Sequence, residues 1–247
     1  MKILVFALAL FTNGLVLNAQ SWVDFGVKGQ WGPTLLLNKA VFDDSNINHQ
    51  LKTKGGFGAK IGFNFNDMHE VTFDFMASGF QQDFVYSIAD TSDNSRANYN
   101  SGIEFRSLDF MLMYRNNKDG TYFEVGPVIS SIKSASRFDD FNIPSADLNF
   151  DTDQLTSMQT GLALGFGSYI MGTDNFGITA GFRMSYMFSD LISSSGQAMN
   201  YPQGPNVVVD SYAPSHPLYV QLIFEANFDL AYMARANCGR TKLMMFN

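Results

Sequence analysis

Apolar and polar residues alternate with a period of two along most of this chain. The clearest example is the run 218–230, where Val220 and Leu222 occupy apolar positions and Gln221 and Glu225 occupy the polar positions of the other parity. Successive side chains of a β-strand point to opposite faces. This run therefore predicts a strand with one apolar and one polar face.

Eight runs of this kind follow one another along the chain, at about residues 23–37, 57–65, 71–78, 107–114, 123–130, 161–170, 178–186 and 218–230. Most are close to the length of about 9–11 residues that a tilted strand needs to cross a membrane. The connections alternate between short turns, at 66–69, 116–120 and 171–175, and long polar loops, at about 38–55, 89–102, 134–156 and 190–216. Long loops on one side and short turns on the other are typical of outer-membrane barrels. We predict an all-β fold, an eight-stranded antiparallel up-and-down transmembrane β-barrel with long extracellular loops.

A soluble β-sandwich or a lipocalin-like barrel is the alternative fold. Such a fold buries its apolar face, whereas here the opposite parity is rich in Gly, Ala and Ser, which suit a narrow barrel interior. Aromatic residues near the predicted strand ends fit the girdles found at membrane interfaces. They are Trp31, Tyr86, Tyr114, Tyr122, Tyr169 and Tyr186.

The N-terminal segment has the features of a secretory signal peptide. Lys2 supplies a positive charge, residues 3–17 are almost wholly apolar, and Ala19 provides the small residue before a cut at Gln20. An uncleaved anchor or a buried first helix is the alternative. The resulting division is a signal peptide at 1–19, a barrel at 20–230, and a periplasmic tail or strand extension at 231–247.

Composition changes this picture in two ways. The chain has 24 Phe, 10 Tyr and 21 Gly, yet its mean hydropathy is only −0.04, as expected when apolar residues alternate with polar ones. Without residues 1–19 the chain keeps 15 basic and 23 acidic residues, a net charge of −8. An acidic chain without a basic stretch argues against nucleic-acid binding.

The polar parity places nine ionisable residues in the predicted lumen: Asp24, Lys28, Lys60, Asp74, Asp109, Glu124, Arg183, Glu225 and Asp229. Charges in a narrow interior must be paired or hydrogen-bonded. We interpret these residues as a structural network of salt bridges. A weakly cation-selective pore is the alternative, because six of the nine are acidic.

Nothing in the sequence predicts an enzyme, a cofactor or a metal. No phosphate-binding, dinucleotide, zinc or calcium motif is present, and the glycines at 161–167 have the period of a strand. The three histidines are His49, His69 and His216. A rim hydrolase would have to combine His49 or His216 with a serine of 193–195, and we expect no such site. Met111 and Met113 are interpreted as lumen filler.

Loops and tail are the expected functional surfaces. The loop 134–156 carries five apolar residues, among them Phe138, Phe141 and Phe150, which either dock a partner or fold over the barrel mouth. The tail contains the single cysteine, Cys238, and the penultimate Phe246, and we include both among the candidate partner-binding residues.

The segment from Asp24 to Gly32, Asp-Phe-Gly-Val-Lys-Gly-Gln-Trp-Gly, together with Ala19-Gln20, resembles the first strand and cleavage site of small outer-membrane barrels of Bacteroidota, the PorT-like family. Gln30-Trp31 departs from the usual Gly-apolar continuation. The resemblance implies an interaction protein embedded in outer-membrane lipid, since some members are accessory subunits of protein secretion or barrel-assembly complexes. The expected function is therefore a non-enzymatic accessory or structural subunit of an envelope complex; the alternative is a small pore or ligand-binding barrel.

Overall fold

The computed structural model describes residues 21–66, 68–89, 96–139, 152–173, 175–197, 212–234 and 244–245. The strands are β1 (Ser21–Asn38), β2 (Ile47–Gln50), β3 (Lys52–Asn66), β4 (His69–Ala89), β5 (Arg96–Lys118), β6 (Thr121–Asp139), β7 (Met158–Thr173), β8 (Phe176–Met187), β9 (Ser215–Ala234) and β10 (Met244–Met245). Two short helices, α1 (Lys39–Asp43) and α2 (Ser194–Gln197), and a 3₁₀ turn at Thr152–Gln154 lie in the connections. No helix in the described part of the chain is long and apolar enough to cross a bilayer.

Eight of these strands form a closed antiparallel barrel. Their order is β1-β3-β4-β5-β6-β7-β8-β9, and β9 pairs with β1 to close the ring. The predicted fold class is confirmed. The two additional strands extend the sheet locally, since β2 pairs with the far end of β4 and β10 pairs with β9.

The tight turn between β5 and β6 shows how the short connections form. Asp119 has φ 51° and Gly120 has φ 76°, and Lys118 pairs with Thr121 across them. Positive φ at both central residues is the mark of a type I′ hairpin, for which Asp-Gly is a favoured sequence. The local sequence therefore specifies this turn, and with it the register of β5 on β6.

One predicted loop is much shorter than expected. Residues 96–102, which were predicted as loop, belong to β5, and the β4–β5 ladder continues until Ala89 faces Arg96. The strands β4 and β5 are 21 and 23 residues long, well beyond what crossing a bilayer requires. The long loop at the start of the chain is also structured, since α1 and β2 lie within it.

The barrel wall carries apolar side chains on its outer face and charged side chains on its inner face, the inverse of a soluble protein. Large apolar side chains are exposed on the outer face, including Val27, Phe57, Ile61, Phe73, Phe75, Phe110, Leu112, Phe123, Ile129, Leu162, Phe166, Phe182, Val220 and Phe224. The charged residues of the other parity are buried inside. Contact between such an apolar belt and lipid tails carries no free-energy cost, whereas contact between the belt and water is unfavourable.

The aromatic residues predicted to form girdles do not all lie on the outer face of the barrel. Trp31 and Tyr114 are exposed on the outer face by 56% and 42%, whereas Tyr169, which is 46% exposed, lines an internal cavity at the short-turn end of the barrel. Tyr86 and Tyr122 are buried instead, at 3% and 6% exposure. The reason is parity: both share the inward positions of β4 and β6, so their rings lie inside the barrel.

Candidate functional site

The structure places the predicted lumen charges inside the barrel. Asp24, Lys28, Lys60, Asp74, Asp109, Glu124, Arg183 and Glu225 are each at most 5% exposed. Asp229 lies at the short-turn end of β9, opposite Asp24 on β1, and is partly exposed. Strand alternation alone therefore aims all nine at the barrel axis.

Two ion pairs cross the full width of the barrel. Arg183 on β8 donates from Nη2 to Asp74 Oδ2 on β4 at 2.9 Å, and Arg115 on β5 donates from Nη1 to Glu225 Oε1 on β9 at 2.9 Å. In the closed ring, β8 lies four strands from β4, and β9 lies four strands from β5. Each pair thus joins opposite walls.

Further ion pairs connect these crossings into one network. Glu124 binds Arg183 at 2.6 Å and Arg115 at 2.9 Å. Lys28 binds both Asp74, at 2.6 Å, and Glu225, at 3.0 Å. A charge buried without a partner costs several kcal/mol, so this mutual pairing is what permits so many charges in a narrow interior.

Sequence reasoning missed two central members of the network, Glu70 and Arg115. The Nζ atom of Lys60 lies 2.6 Å from Glu70 Oε1 and 2.8 Å from Glu225 Oε1, so Glu70 is a full partner. Both missed residues follow the inward parity of their strands, Glu70 two positions before Thr72 and Arg115 two positions after Met113. They were overlooked because one predicted run began at Val71 and the other ended at Tyr114; extending each run by one residue would have found them.

Asp109 belongs to a separate polar layer. It accepts hydrogen bonds from Ser107 at 2.8 Å and from Ser130 at 2.5 Å, and it forms no ion pair with a cation of the described residues. Met111 and Met113, at 5% and 0% exposure, fill the lumen, and Arg183 contacts the sulfur of Met111 at 3.2 Å. No group of three or more His, Cys, Asp or Glu is arranged to hold a metal ion within the described ranges.

Beyond the charged layers, toward the long loops, the interior becomes apolar. The ring of Phe80 stacks on Phe105 with 4.7 Å between centroids and meets Tyr219 edge-on at 5.5 Å. The connections contribute to this core through Val41, Ile47, Leu155, Leu191 and Ile192, which are all buried. Burying a side chain of this size contributes about 1.5–3 kcal/mol. The outer half of the barrel therefore has a packed core of its own.

Glycines on the inward parity let these side chains approach the wall. A Cβ on Gly165 would lie 2.6 Å from Glu124 Oε1, and a Cβ on Gly167 would lie 2.6 Å from the ring of Tyr122. These are contacts that real Cβ atoms do not make, so glycine is required at both positions. The glycines at 161–167 therefore serve lumen packing.

Within the described part of the outer rim, no hydrogen bond joins a serine of 193–195 to His49 or His216. The hydroxyls of Ser193 and Ser195 both donate to the backbone carbonyl of Asp153 at 2.8 Å. The ring of His216 packs against Tyr186 with 5.7 Å between centroids. Nearby, the pKa of the Tyr212 hydroxyl is raised, chiefly because the group is buried and secondly because it donates a hydrogen bond to Asp190.

The candidate partner-binding residues are only partly placed. Phe138 lies near the outer end of β6 and is 42% exposed. Phe141, Phe150, Cys238 and Phe246 lie outside the described residues. Their role therefore stays a prediction.

No protein-family profile and no curated protein matches this chain. The solved structures to which it is similar include the outer-membrane protein OprG from Pseudomonas aeruginosa, at 12% identity over 86% of this chain and 96% of that one, with a TM-score of 0.35. They also include AlkL in lipid bilayers, at 12% identity over 89% and 94% of the two chains with a TM-score of 0.38. Outer membrane protein W of E. coli is similar at 14% identity over 87% and 100% of the two chains, with a TM-score of 0.34.

Proposed function

We propose that this chain is a bacterial outer-membrane barrel without enzymatic activity that serves as an accessory or structural subunit of an envelope protein complex, in protein secretion or outer-membrane protein assembly. The observation that carries this proposal is the closed lumen. Arg183–Asp74 and Arg115–Glu225 span opposite walls, and the side chains of Arg183, Asp74 and Glu225 have no solvent exposure. A lumen that is closed in this way among the described residues does not pass solutes, which supports a role carried by the outer surfaces of the barrel.

The exposed apolar belt supports the membrane location, because only lipid covers such a surface favourably. Export by the segment 1–19 is part of the same proposal. So is membership of the PorT-like barrels of Bacteroidota, for which the support is the opening segment Asp24–Gly32 after Ala19-Gln20. The outer ends of the long strands β4, β5 and β6, together with the connections at that end of the barrel, are the surfaces offered to partners.

The alternative of a small pore is disfavoured by the same network. An ion would have to displace several paired charges and then pass the aromatic core of Phe80, Phe105 and Tyr219, whose side chains are at most 3% exposed. The expected result in planar lipid bilayers is no steady conductance from the purified protein. Stable channels of defined conductance would contradict the closed lumen.

Affinity purification from the native outer membrane in mild detergent tests the subunit role. We expect envelope proteins at stoichiometric amounts, and we expect them to be lost when Phe138, Phe141 and Phe150 are replaced together by serine, or when Cys238 and Phe246 are replaced. The matched control is Asn98→Ser, a polar change on the outer part of β5. A solitary barrel, or retention of the same partners in both variants, would contradict the proposal as stated.

A further inference from the structure

A cavity of about 550 Å³ lies at the short-turn end of the barrel. Its lining includes residues of all three short turns, among them Met68, Gly120 and Thr173. The floor is formed by inward residues of the lumen network, among them Asp24 and Glu70. The cavity is therefore the part of the lumen that opens on the side opposite the long loops.

Unsatisfied acceptors line this cavity. Thr179 Oγ1 and Asn227 Oδ1 are buried atoms without a hydrogen-bond partner among the described residues, and both residues belong to the lining. Asp24 also belongs to it, and its Oδ1 lies 3.3 Å from Lys60 Nζ without a shorter contact to a donor. Asp24 and Thr179 are only 5% and 8% exposed. A buried polar atom without a partner costs about 1–3 kcal/mol. The cavity wall thus favours a ligand that donates hydrogen bonds.

The charges of the network are unbalanced at this same end. Four cations, Lys28, Lys60, Arg115 and Arg183, face five carboxylates in the ion pairs, namely Asp24, Glu70, Asp74, Glu124 and Glu225. Asp229, directly opposite Asp24 across the β1–β9 pair, adds a sixth carboxylate. Like charges opposite each other on paired strands repel. The cavity lining itself holds four carboxylates, those of Asp24, Glu70, Asp119 and Asp229, and three cations, those of Lys60, Arg115 and Lys118. The formal excess at the cavity is therefore one negative charge.

Aromatic rings complete the lining. Trp22, Tyr122, Tyr169 and Phe176 all contribute to it. The guanidinium carbon of Arg115 already lies 4.2 Å from the centroid of the Tyr122 ring. Carboxylates, amide oxygens and aromatic faces together recognise organic cations, whereas a compact metal ion needs converging oxygen ligands. Lys60, whose Nζ lies 3.3 Å from Asp24 Oδ1, further disfavours a bare divalent ion.

We propose that this cavity binds an organic cation carrying ammonium or guanidinium groups, held by Asp24 and Asp229 and by the free acceptors of Asn227 and Thr179. The inference does not depend on the chain being a complex subunit. Two sources supply the same chemistry: a small diamine from solution, or the basic side chains Arg235, Arg240 and Lys242 of this chain's own C-terminal segment.

The chain has two tryptophans, so Trp31→Phe leaves Trp22, at the cavity, as the only one. Trp31 lies on the outer face and does not line the cavity. Fluorescence of the folded full-length protein is titrated with 1,4-diaminobutane, with 1,4-butanediol as the neutral control and Ca²⁺ as the metal control. We expect a saturable change with the diamine and none with the diol or Ca²⁺, either in this protein or, if its own C-terminal segment occupies the cavity, in the tail variant described below. Ca²⁺ binding as well as the diamine would overturn the choice of an organic cation.

Asp229→Asn, a change at a partly exposed site, should weaken diamine binding by about tenfold, as loss of one charge-assisted hydrogen bond predicts. Thr179→Val should weaken it less. The matched control is Asp109→Asn, which alters a buried carboxylate of another layer and should leave the affinity unchanged. Unchanged affinity in Asp229→Asn overturns the proposal.

A full-length variant with Arg235, Arg240 and Lys242 replaced by glutamine separates the two sources. Binding that appears only in this variant supports the site and identifies the C-terminal segment as its natural occupant. Equal binding in both proteins supports the site with a small cation from solution. Absence of binding in both overturns the proposal.

Discussion

Replacing Arg183 with methionine removes the central cation of the lumen without emptying its volume. The guanidinium binds Asp74 at 2.9 Å and Glu124 at 2.6 Å. Breaking a buried ion pair costs about 3–5 kcal/mol. Asp74 retains Lys28 at 2.6 Å, and Glu124 retains Arg115 at 2.9 Å. Because each carboxylate keeps one cation, we expect the free energy of unfolding to fall by about 3 kcal/mol, the lower end of that range.

The assay is urea unfolding of the protein in lipid vesicles, followed by tryptophan fluorescence and by heat-modifiable mobility on gels. With a slope of about 2 kcal/mol per molar urea, the midpoint should fall by about 1.5 M. Adding Glu124→Gln should restore part of the loss, since the excess of carboxylates over cations that Arg183→Met leaves in the lumen is then reduced by one. Lys133→Met, at an exposed position of β6, should change the free energy of unfolding by less than about 0.5 kcal/mol. An Arg183→Met midpoint equal to that of Lys133→Met would refute the reasoning.

Three further outcomes are expected. Phe75→Lys puts a charge on the apolar outer belt at a position that is 45% exposed, and it should destabilise the folded barrel in lipid by about 2–4 kcal/mol. Asn98→Lys, on the part of β5 beyond the belt, should leave stability nearly unchanged in the same urea titration. Gly120→Ala should lower the free energy of unfolding by about 1–2 kcal/mol, because φ is 76° at this position although a Cβ would meet no neighbouring atom. Gly29→Ala, at a position that is equally open but has no positive φ, should leave stability unchanged. Equal effects of the two changes in thermal unfolding would disprove the conformational cause. Burial lowers the pKa of His49 below its ordinary value of 6.5, so docking of β2 should be fully stable above pH 6.5 and weaken as pH falls; amide exchange of β2 that is independent of pH would contradict this.

The lumen network illustrates how far parity reasoning reaches. Alternation identified which side of each strand faces inward, and so which charged residues enter the lumen. It did not identify partners, because the two crossing pairs join residues 109 and 110 positions apart in the chain. Which residues share a height in the barrel depends on the stagger of every intervening strand.

The outer half of the barrel was harder to anticipate. Inward parity continues without interruption from Asp74 through Met76 to Phe80 and Phe84 on β4. Nothing in that pattern marks where the charged layers end and the packed aromatic core begins. The core forms only because Phe105 of β5 and Tyr219 of β9 reach the same level as Phe80.

The sequence by itself determined the strand periodicity, the apolar outer face, the charged interior and the tight Asp119-Gly120 turn. These are local properties, since they depend on alternation of side chains and on backbone preferences of single residues. Only the tertiary structure decided that the lumen is closed by pairs across its diameter, and that an excess of carboxylates meets unpartnered acceptors in a cavity at the short-turn end. Both depend on ring closure, which brings β1 against β9 and sets the distances between strands that are far apart in the chain.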